Sequence, residues 1–594
     1  MPQPMQLQLP RNLPSFFNWR TIAGTIFADK TPFIKALEEG TTNYRYIFLR
    51  PRRFGKSAFL NMLYAYYDVH TAGIFDDLFG PLHIGKNPTA SKNKHLVLKF
   101  DLSSIDISGS LLDMRNSFHD YINDVLVEFL QKYSSELYYS EKDSIIKESN
   151  SPQSLRRVLS LVGSLGQSLF VGVDEYDAPA NNSAFAGGNT VLGQDTINKV
   201  QHIELFFNVN FFSILKEGCQ TTSMNDYGVV ISKYFLTGVT PAFRAGVSPL
   251  IASSIVSNNR RFHGACGFTE NEVKAIVTHY LRKNEQDVDP LVCAMRKLYN
   301  GYCFAASSDA ESQSPELVYN PHLAFHYLSN FQTEGFVAKP EESTAVHSTT
   351  ILKSISDLGE FSVQDLIELI AHKRVKSKIV TEFGFPEILS VGKDAEITWS
   401  LLFYFGAMTL GPNGYLRVPN DVIKSEFFSR ITPFLRNQLM ISAHMTPAIR
   451  NLKAGRPEEF CELLETFLST KAARSLQKAN KSVLQSVVEL LLDEPSNHIP
   501  ELSLVVDASK PPKEGRFGFV DIFIPSTGEE DSQTCIVMEL KNAHLQGLLK
   551  KVSSEKIVYE ELVNLQNRSA PKKNTRCLQG NICTGQKRTM IGER

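Results

Sequence analysis

No charge of one sign prevails in this chain of 594 residues: 62 Lys+Arg stand against 63 Asp+Glu, a formal net charge of -1. The balance excludes a surface built wholly to bind nucleic acid or anionic lipid, while leaving room for local basic patches. The 8 cysteines form no C-x-x-C pair and no Cys/His cluster at zinc spacing, so free thiols in a reducing compartment are expected rather than a zinc module. Long hydrophobic runs are also lacking. The longest, LLFYFGAMTL, is about half of what a membrane helix needs. The N-terminal MPQPMQLQLPRNLPSFF sets Pro and Gln where a secretory signal requires an apolar run, and no internal repeat is found. What is present is a hydrophobic fraction of 42%, enough for packed cores and too high for a mainly disordered chain. A soluble intracellular protein, cytoplasmic or nuclear, is expected, its length corresponding to roughly three to five domains.

Between about residues 20 and 270, short apolar runs alternate with helical patterns. YRYIFL, HLVLKFD, SLFVGVD and YFLTGV read as strands buried on both faces. SAFLNMLYAYYDV, MRNSFHDYINDVLVEFLQKY and IELFFNVNFFSILKEG repeat apolar residues every three or four positions and read as helices. The expected fold class is therefore α/β: a sheet with flanking helices over 15–270 and a helical extension over 271–345. A mostly helical linker or lid follows over 346–478, with a short strand-like interlude at WSLLFYFGAMTL and GYLRVPN. Beyond about 478 come a helix (KSVLQSVVELLLD), the run ELSLVVDA, and a hairpin of FGFVDIFI and TCIVMELK around the loop PSTGEEDSQ. These form a small α/β domain over 479–566. The tail, 567–594, lacks periodicity and reads as disordered and basic.

The first chemical signal is RPRRFGKS, Arg50 to Ser57, lying directly after a strand and directly before a helix. In a phosphate-binding loop, backbone N–H groups and a helix N-terminus cradle the phosphates, the lysine reaches the β and γ groups, and the hydroxyl holds Mg²⁺. Lys56 and Ser57 fit those tasks, with Arg53 and Gly55 as further nucleotide contacts, although Arg50 stands where the full pattern asks for glycine. The second signal is FVGVDEYDAP. Asp174 and Glu175 leave an apolar strand as an acidic pair, the aspartate suited to Mg²⁺ and the glutamate to polarising the attacking water. Asp177 reads as structural, pairing with backbone or an arginine. Thr237, at the end of YFLTGV, is expected beside Asp174, within reach of a γ-phosphate or the water. Arg244 is a surface arginine or a phosphate clamp.

A further constellation stands in the C-terminal hairpin. Pairing about a loop centre near Glu529 places Asp521 opposite or almost opposite Glu539, and alternation puts Glu539 and Lys541 on one face. Facing carboxylates repel unless a cation sits between them. A divalent metal on Asp521 and Glu539, with Lys541 orienting or deprotonating water, suits attack on a phosphodiester. Residues 541–594 carry 11 Lys+Arg and 4 Asp+Glu, a net of +7, which suits either a solvated tail or contact with a phosphate backbone.

The stretches FADKTPFIKAL, YIFLRPRRFGKSAFLNML, VDEYDAP, FLTGVTPAF, GFTENEV and LYNGYCF resemble the AAA-ATPase-like family. The likeness spans about 15–330. It implies a P-loop NTPase sheet in which arginine at the first loop position is normal, with ATP and Mg²⁺ as cofactors. It also implies a C-terminal PD-(D/E)XK nuclease superfamily domain, with FGFVDIFI and CIVMELKNA placing Asp521, Glu539 and Lys541 on that motif. The early helix of such a domain offers only Glu489, out of register, and the sequence after Gln566 replaces its closing elements. The function expected is ATP binding and hydrolysis coupled to metal-dependent cleavage of DNA or RNA. The alternative is a nucleotide-gated regulatory protein carrying an inert nuclease-like module. No membrane partner is expected, and the sequence does not define an oligomer.

Overall fold

The computed structural model describes residues 16–22, 24–39, 41, 44–138, 145–185, 194–220, 229–243, 253–281, 285–305, 315–334, 365, 369, 374–382, 384, 394–424, 427, 442–453, 456–469, 488, 492, 499–505, 517–524, 536–539 and 581–584. The chain divides into two compact units, one of residues 1–360 with 376–426, the other of 361–375 with 427–594.

The first unit is built on five strands: β1 (Tyr44–Leu49), β2 (Leu96–Asp101), β3 (Leu169–Asp174), β4 (Ile231–Gly238) and β5 (Ser254–Ile255). They pair in the order β2-β3-β4-β1-β5, and every pairing is parallel. Parallel neighbours need crossover connections, which here bring helices such as α1 (Lys56–Tyr67), α2 (Leu111–Lys132) and α3 (Ser151–Ser164) against the sheet. The strands are therefore apolar throughout: every residue of β3 except Asp174 is buried. Insertion of β4 between β1 and β3 separates the strand preceding the glycine loop from the strand ending in Asp174. In open parallel sheets, ligands bind at the carboxyl ends where the strand order reverses.

Local chemistry fixes the helices. Ser110 and Asp113 form a reciprocal capping box at the start of α2. Gly172 lets α1 lie close on β3, because a Cβ there would sit 2.3 Å from Cε1 of Tyr64. The single helix expected over 203–218 is instead Gln194–Phe207, a π-helical turn at Asn208–Phe212 and Ser213–Gly218.

The helical extension comprises α4 (Glu270–Leu281), α5 (Glu285–Tyr299) and α6 (Pro321–Glu334), packed through Val273, Val277, Val288, Met295, Leu323 and Leu328. Each buried side chain of this kind contributes roughly 1.5–3 kcal/mol.

Residues 376–426 belong to the first unit. The strand-like interlude expected at WSLLFYFGAMTL is for the most part a helix, α7 (Ala395–Tyr404), followed by β6 (Thr409–Leu410), which pairs antiparallel with β7 (Tyr415–Arg417). The run is buried from Ile397 to Tyr404, so it shows no periodicity by which a helix is told from a strand. The helix is set by its cap, Asp394, which accepts from the amides of Glu396 and Ile397 at 2.8 and 3.2 Å. Thr409 Oγ1 bonds both the amide and the carbonyl of Cys303, tying this segment to the chain behind the glycine loop.

In the second unit, β8 (Ile499–Val505), β9 (Phe517–Ile524), β10 (Ile536–Glu539) and β11 (Asn581–Thr584) form an antiparallel sheet in the order β11-β10-β9-β8. The tail, expected to be structureless, thus contributes a strand. NICT is too short to show alternation, and it is set by pairing with IVME rather than by its own pattern. Among the described residues, no helix is long and apolar enough to cross a membrane.

Candidate nucleotide site

The loop from Arg50 to Gly55 leaves the carboxyl end of β1 and enters α1 at Lys56. Two of its residues are left-handed, Arg53 at φ 65° and Gly55 at φ 94°. Left-handed residues within such a loop curl successive N–H groups toward one concavity, the geometry that holds anions at a helix start. Phe54 anchors the loop. Its ring packs edge-on against Tyr302 and Phe304 at centroid distances of 4.8 and 5.3 Å, and its carbonyl accepts from Gly267 N at 3.1 Å.

Arg50 is turned away from the concavity and is 1% exposed. Its guanidinium donates to the carbonyls of Leu49, Ser257, Phe262 and His263 at 2.8–3.3 Å and lies against the rings of Phe48 and Phe304. Burial pushes its pKa down to about 10. Where a glycine would let a loop curl, this chain uses a buried cation to bolt the loop base to residues 257–263.

Lys56 is 3% exposed, with Nζ 3.5 Å from both the Pro51 carbonyl and Glu175 Oε1. Glu175 sits at φ 46° just beyond β3. Burial raises its carboxyl pKa, the Lys56 charge opposing this, with Asp177 and Asp174 adding to the rise and Arg52 to the opposition. Asp174 Oδ1 accepts from the Thr237 hydroxyl and from Glu175 N. Ser57, in the first turn of α1, is exposed. Lys56 at the start of α1, Asp174 and Glu175 at and just beyond the end of β3, and Thr237 near the end of β4 thus converge at the carboxyl edge of the sheet. Asp177 is fully buried and accepts from Val239 N, Thr240 N, Thr240 Oγ1 and Asn181 Nδ2 at 2.6–3.0 Å, a staple between the chain after β3 and the end of β4. Arg244 lies outside the described residues.

Two features of this edge are set by tertiary placement alone, the level of Asp101 with Asp174 and the meeting of Arg53 with His322. Asp101 is level with Asp174 in the β2–β3 register and is occupied by capping Ser103, whose N and Oγ it accepts at 3.0 and 2.6 Å. Arg53 Nη1 lies 2.6 Å from His322 Nε2, and no spacing rule links residues so far apart in the chain.

In the second unit, the pairing of Ile522 with Met538 brings Asp521 level with Glu539 at the next step. Val520 pairs with Leu502 and Ile522 with Pro500, so Glu501 is level with Asp521 on its other side, and Glu539 pairs with Asn581. One row across the sheet therefore reads Glu501, Asp521, Glu539, Asn581. The place of Glu501 in this row has no signal in the sequence, because it rests on pairing between β8 and β9 that no loop length announces. Lys541 and Glu489 lie outside the described residues.

Residues 13–248 match the family described as predicted AAA-ATPase. An uncharacterized protein in the vnfD 5' region of Azotobacter chroococcum mcd 1 is 25% identical over 433 residues, covering 70% of this chain and 68% of that protein. A solved structure titled as Cdc6p from Pyrobaculum aerophilum covers 68% of this chain and 93% of its own, at 11% identity and a TM-score of 0.23, too low for the superposition to bear on the site.

Proposed function

We propose that the chain binds and hydrolyses Mg-ATP at the loop of residues 50–57, and that this ATPase unit drives a metal-dependent nuclease-like sheet acting on DNA or RNA. The observation that carries the first part is the convergence of Lys56, Glu175, Asp174 and Thr237 at the carboxyl edge of a parallel sheet. The match of residues 13–248 to a predicted AAA-ATPase family supports it.

The residues present suit Mg-ATP. Lys56 and the N–H groups at the start of α1 suit the phosphates, and Ser57 with Asp174 suits the metal, which supplies charge neutralisation across the β and γ groups when bound. In the structure, Lys56 faces Glu175. For the lysine to serve phosphate and the glutamate to serve water, that pair must part. Glu175 then orients water and accepts its proton, while Thr237 keeps Asp174 in one rotamer through their hydrogen bond.

Two substitutions test the ATPase. Lys56→Ala is expected to weaken Mg-ATP binding by about ten- to a hundredfold. Glu175→Gln is expected to bind while turnover falls by about 10²–10⁴. Turnover at the parental rate in both variants would refute the assignment.

For the nuclease-like sheet, the supporting placement is the row containing Asp521 and Glu539. Purified protein is incubated with DNA or RNA and Mg²⁺ or Mn²⁺, with and without ATP, beside Asp521→Ala. Metal-dependent cleavage lost in that variant is the expected outcome. Cleavage that survives it removes Asp521 from the site, and none in the parent favours a nucleotide-gated protein with an inert sheet.

A further inference from the structure

The structure ties the nucleotide loop to the helical extension at two adjacent residues. Phe54 O accepts from Gly267 N, and Arg53 Nη1 meets Nε2 of His322 at 2.6 Å. Gly267 is followed by Phe268, which bridges to Tyr319 in both directions at 2.8 and 3.1 Å. Asn320 then caps α6, its Oδ1 accepting from the amides of His322 and Leu323 at 3.0 and 3.3 Å. Behind the cap, Leu323, Ala324 and Leu328 are buried in the core of the extension. The chain 53–54, 267–268, 319–320, 322 and back to 53 is a closed circuit of hydrogen bonds, with His322 standing on a firm base.

A guanidinium has only donors, so Nε2 of His322 is the acceptor and the imidazole is neutral, its proton on Nδ1. Arg53 is exposed and its backbone is left-handed at φ 65°, a conformation that non-glycine residues rarely hold without support. A free arginine side chain at such a position samples many rotamers. One bound at Nη1 keeps Nε and Nη2 as a fork of fixed direction, suited to a phosphate.

We propose that His322 is a positioning residue for the nucleotide site: it holds Arg53 so that the guanidinium is preorganised for the phosphates of Mg-ATP, and it thereby makes phosphate affinity depend on the seating of the helical extension. This rests on the nucleotide reading given above and extends it to a residue outside the loop.

The test is a double-mutant cycle on the full chain, read by Mg-ATP binding and by KM and kcat for ATP hydrolysis. His322→Ala is expected to raise Kd and KM roughly fivefold to tenfold, the net worth of one ordinary hydrogen bond, with kcat unchanged. Arg53→Ala raises them at least as much, and the double variant is no weaker than Arg53→Ala alone. His322→Gln, whose Oε1 accepts from Nη1, restores affinity to within about twofold. Additive effects, a fall in kcat at constant KM, or no rescue by glutamine overturns the assignment. Lys56→Ala is the control: parental Mg-ATP binding in it removes the nucleotide reading itself, whereas lost binding in it together with an additive cycle removes only the role of His322.

Discussion

Arg50 shows how far one side chain's task departs from its motif position. By sequence it stands at the first position of the candidate phosphate loop, yet its charge is directed at four backbone carbonyls and two ring faces, none of them at the concavity. A lysine cannot reach four diverging carbonyls with one ammonium. Arg50→Lys is therefore expected to lower stability by about 3 kcal/mol or more, charge retained, because buried acceptors lose their donors. Urea midpoints of the two proteins decide it, and equal midpoints would show that the four bonds contribute nothing. Glu175 carries the pH dependence at this scale. Its carboxyl is held above the ordinary range chiefly by burial, and only the deprotonated form accepts a proton from water. On the proposed ATPase reading, kcat is thus expected to fall as pH drops through that raised pKa. A pH-rate profile of Glu175→Gln should lack that limb, and persistence of the limb would assign it to another group.

Elements are placed here by contacts that leave little tolerance. The approach of α1 to β3 depends on the missing side chain at Gly172, over which the Tyr64 ring lies. Gly172→Ala is expected to destabilise the protein by about 1–3 kcal/mol through overpacking, and Tyr64→Leu in the same chain to recover part of it. If the double variant is no more stable than Gly172→Ala, the clash is not with the ring. The helix α2 presents the opposite case, since its start is written locally: Ser110 and Asp113 satisfy each other's amides whatever packs against the helix. The helix α7 lies between these. Its cap is local, yet its face is undefined because it is buried on all sides from Ile397 to Tyr404, so the run carries no period that separates helix from strand.

At the scale of the whole molecule, two buried histidines couple stability to acid. His95 bonds Ser168 Oγ at 2.8 Å, and burial, aided by Lys233, pushes its pKa down to about 3. His263 bonds the Glu316 carbonyl at 2.7 Å, and burial with the nearby Arg50 charge takes it to about 4. Both values lie below the pKa of about 6.5 of an unfolded histidine, so between those limits the unfolded chain binds more protons. Stability is then complete above pH 6.5 and is lost as pH falls toward 4, by up to about 1.4 kcal/mol per pH unit for each histidine. Urea denaturation between pH 7 and pH 5 should show this slope, and His95→Gln should reduce it. An unchanged slope in that variant would exclude His95 as a source.

Much of the candidate nucleotide edge was legible in the sequence. The apolar runs ending at Leu49, Asp101 and Asp174 announce buried strands, and GKS before an amphipathic run announces a helix start, since both signals lie within a few residues of the chain. What spacing cannot state is which strands become neighbours. Parallel pairing across long crossovers set Thr237 against Asp174 and Lys56 against Glu175, and the bridge of Phe268 to Tyr319 with the Gly267–Phe54 bond set His322 against Arg53. Antiparallel pairing across an unmarked connection likewise brought Glu501 level with Asp521. The sequence by itself determined the elements and the types of side chain at their ends, because propensity, capping and burial pattern act over a few residues. Only the tertiary structure decided which of those charges meet and which, like Arg50, turn inward, because burial and partner choice depend on the strand order that packing imposes.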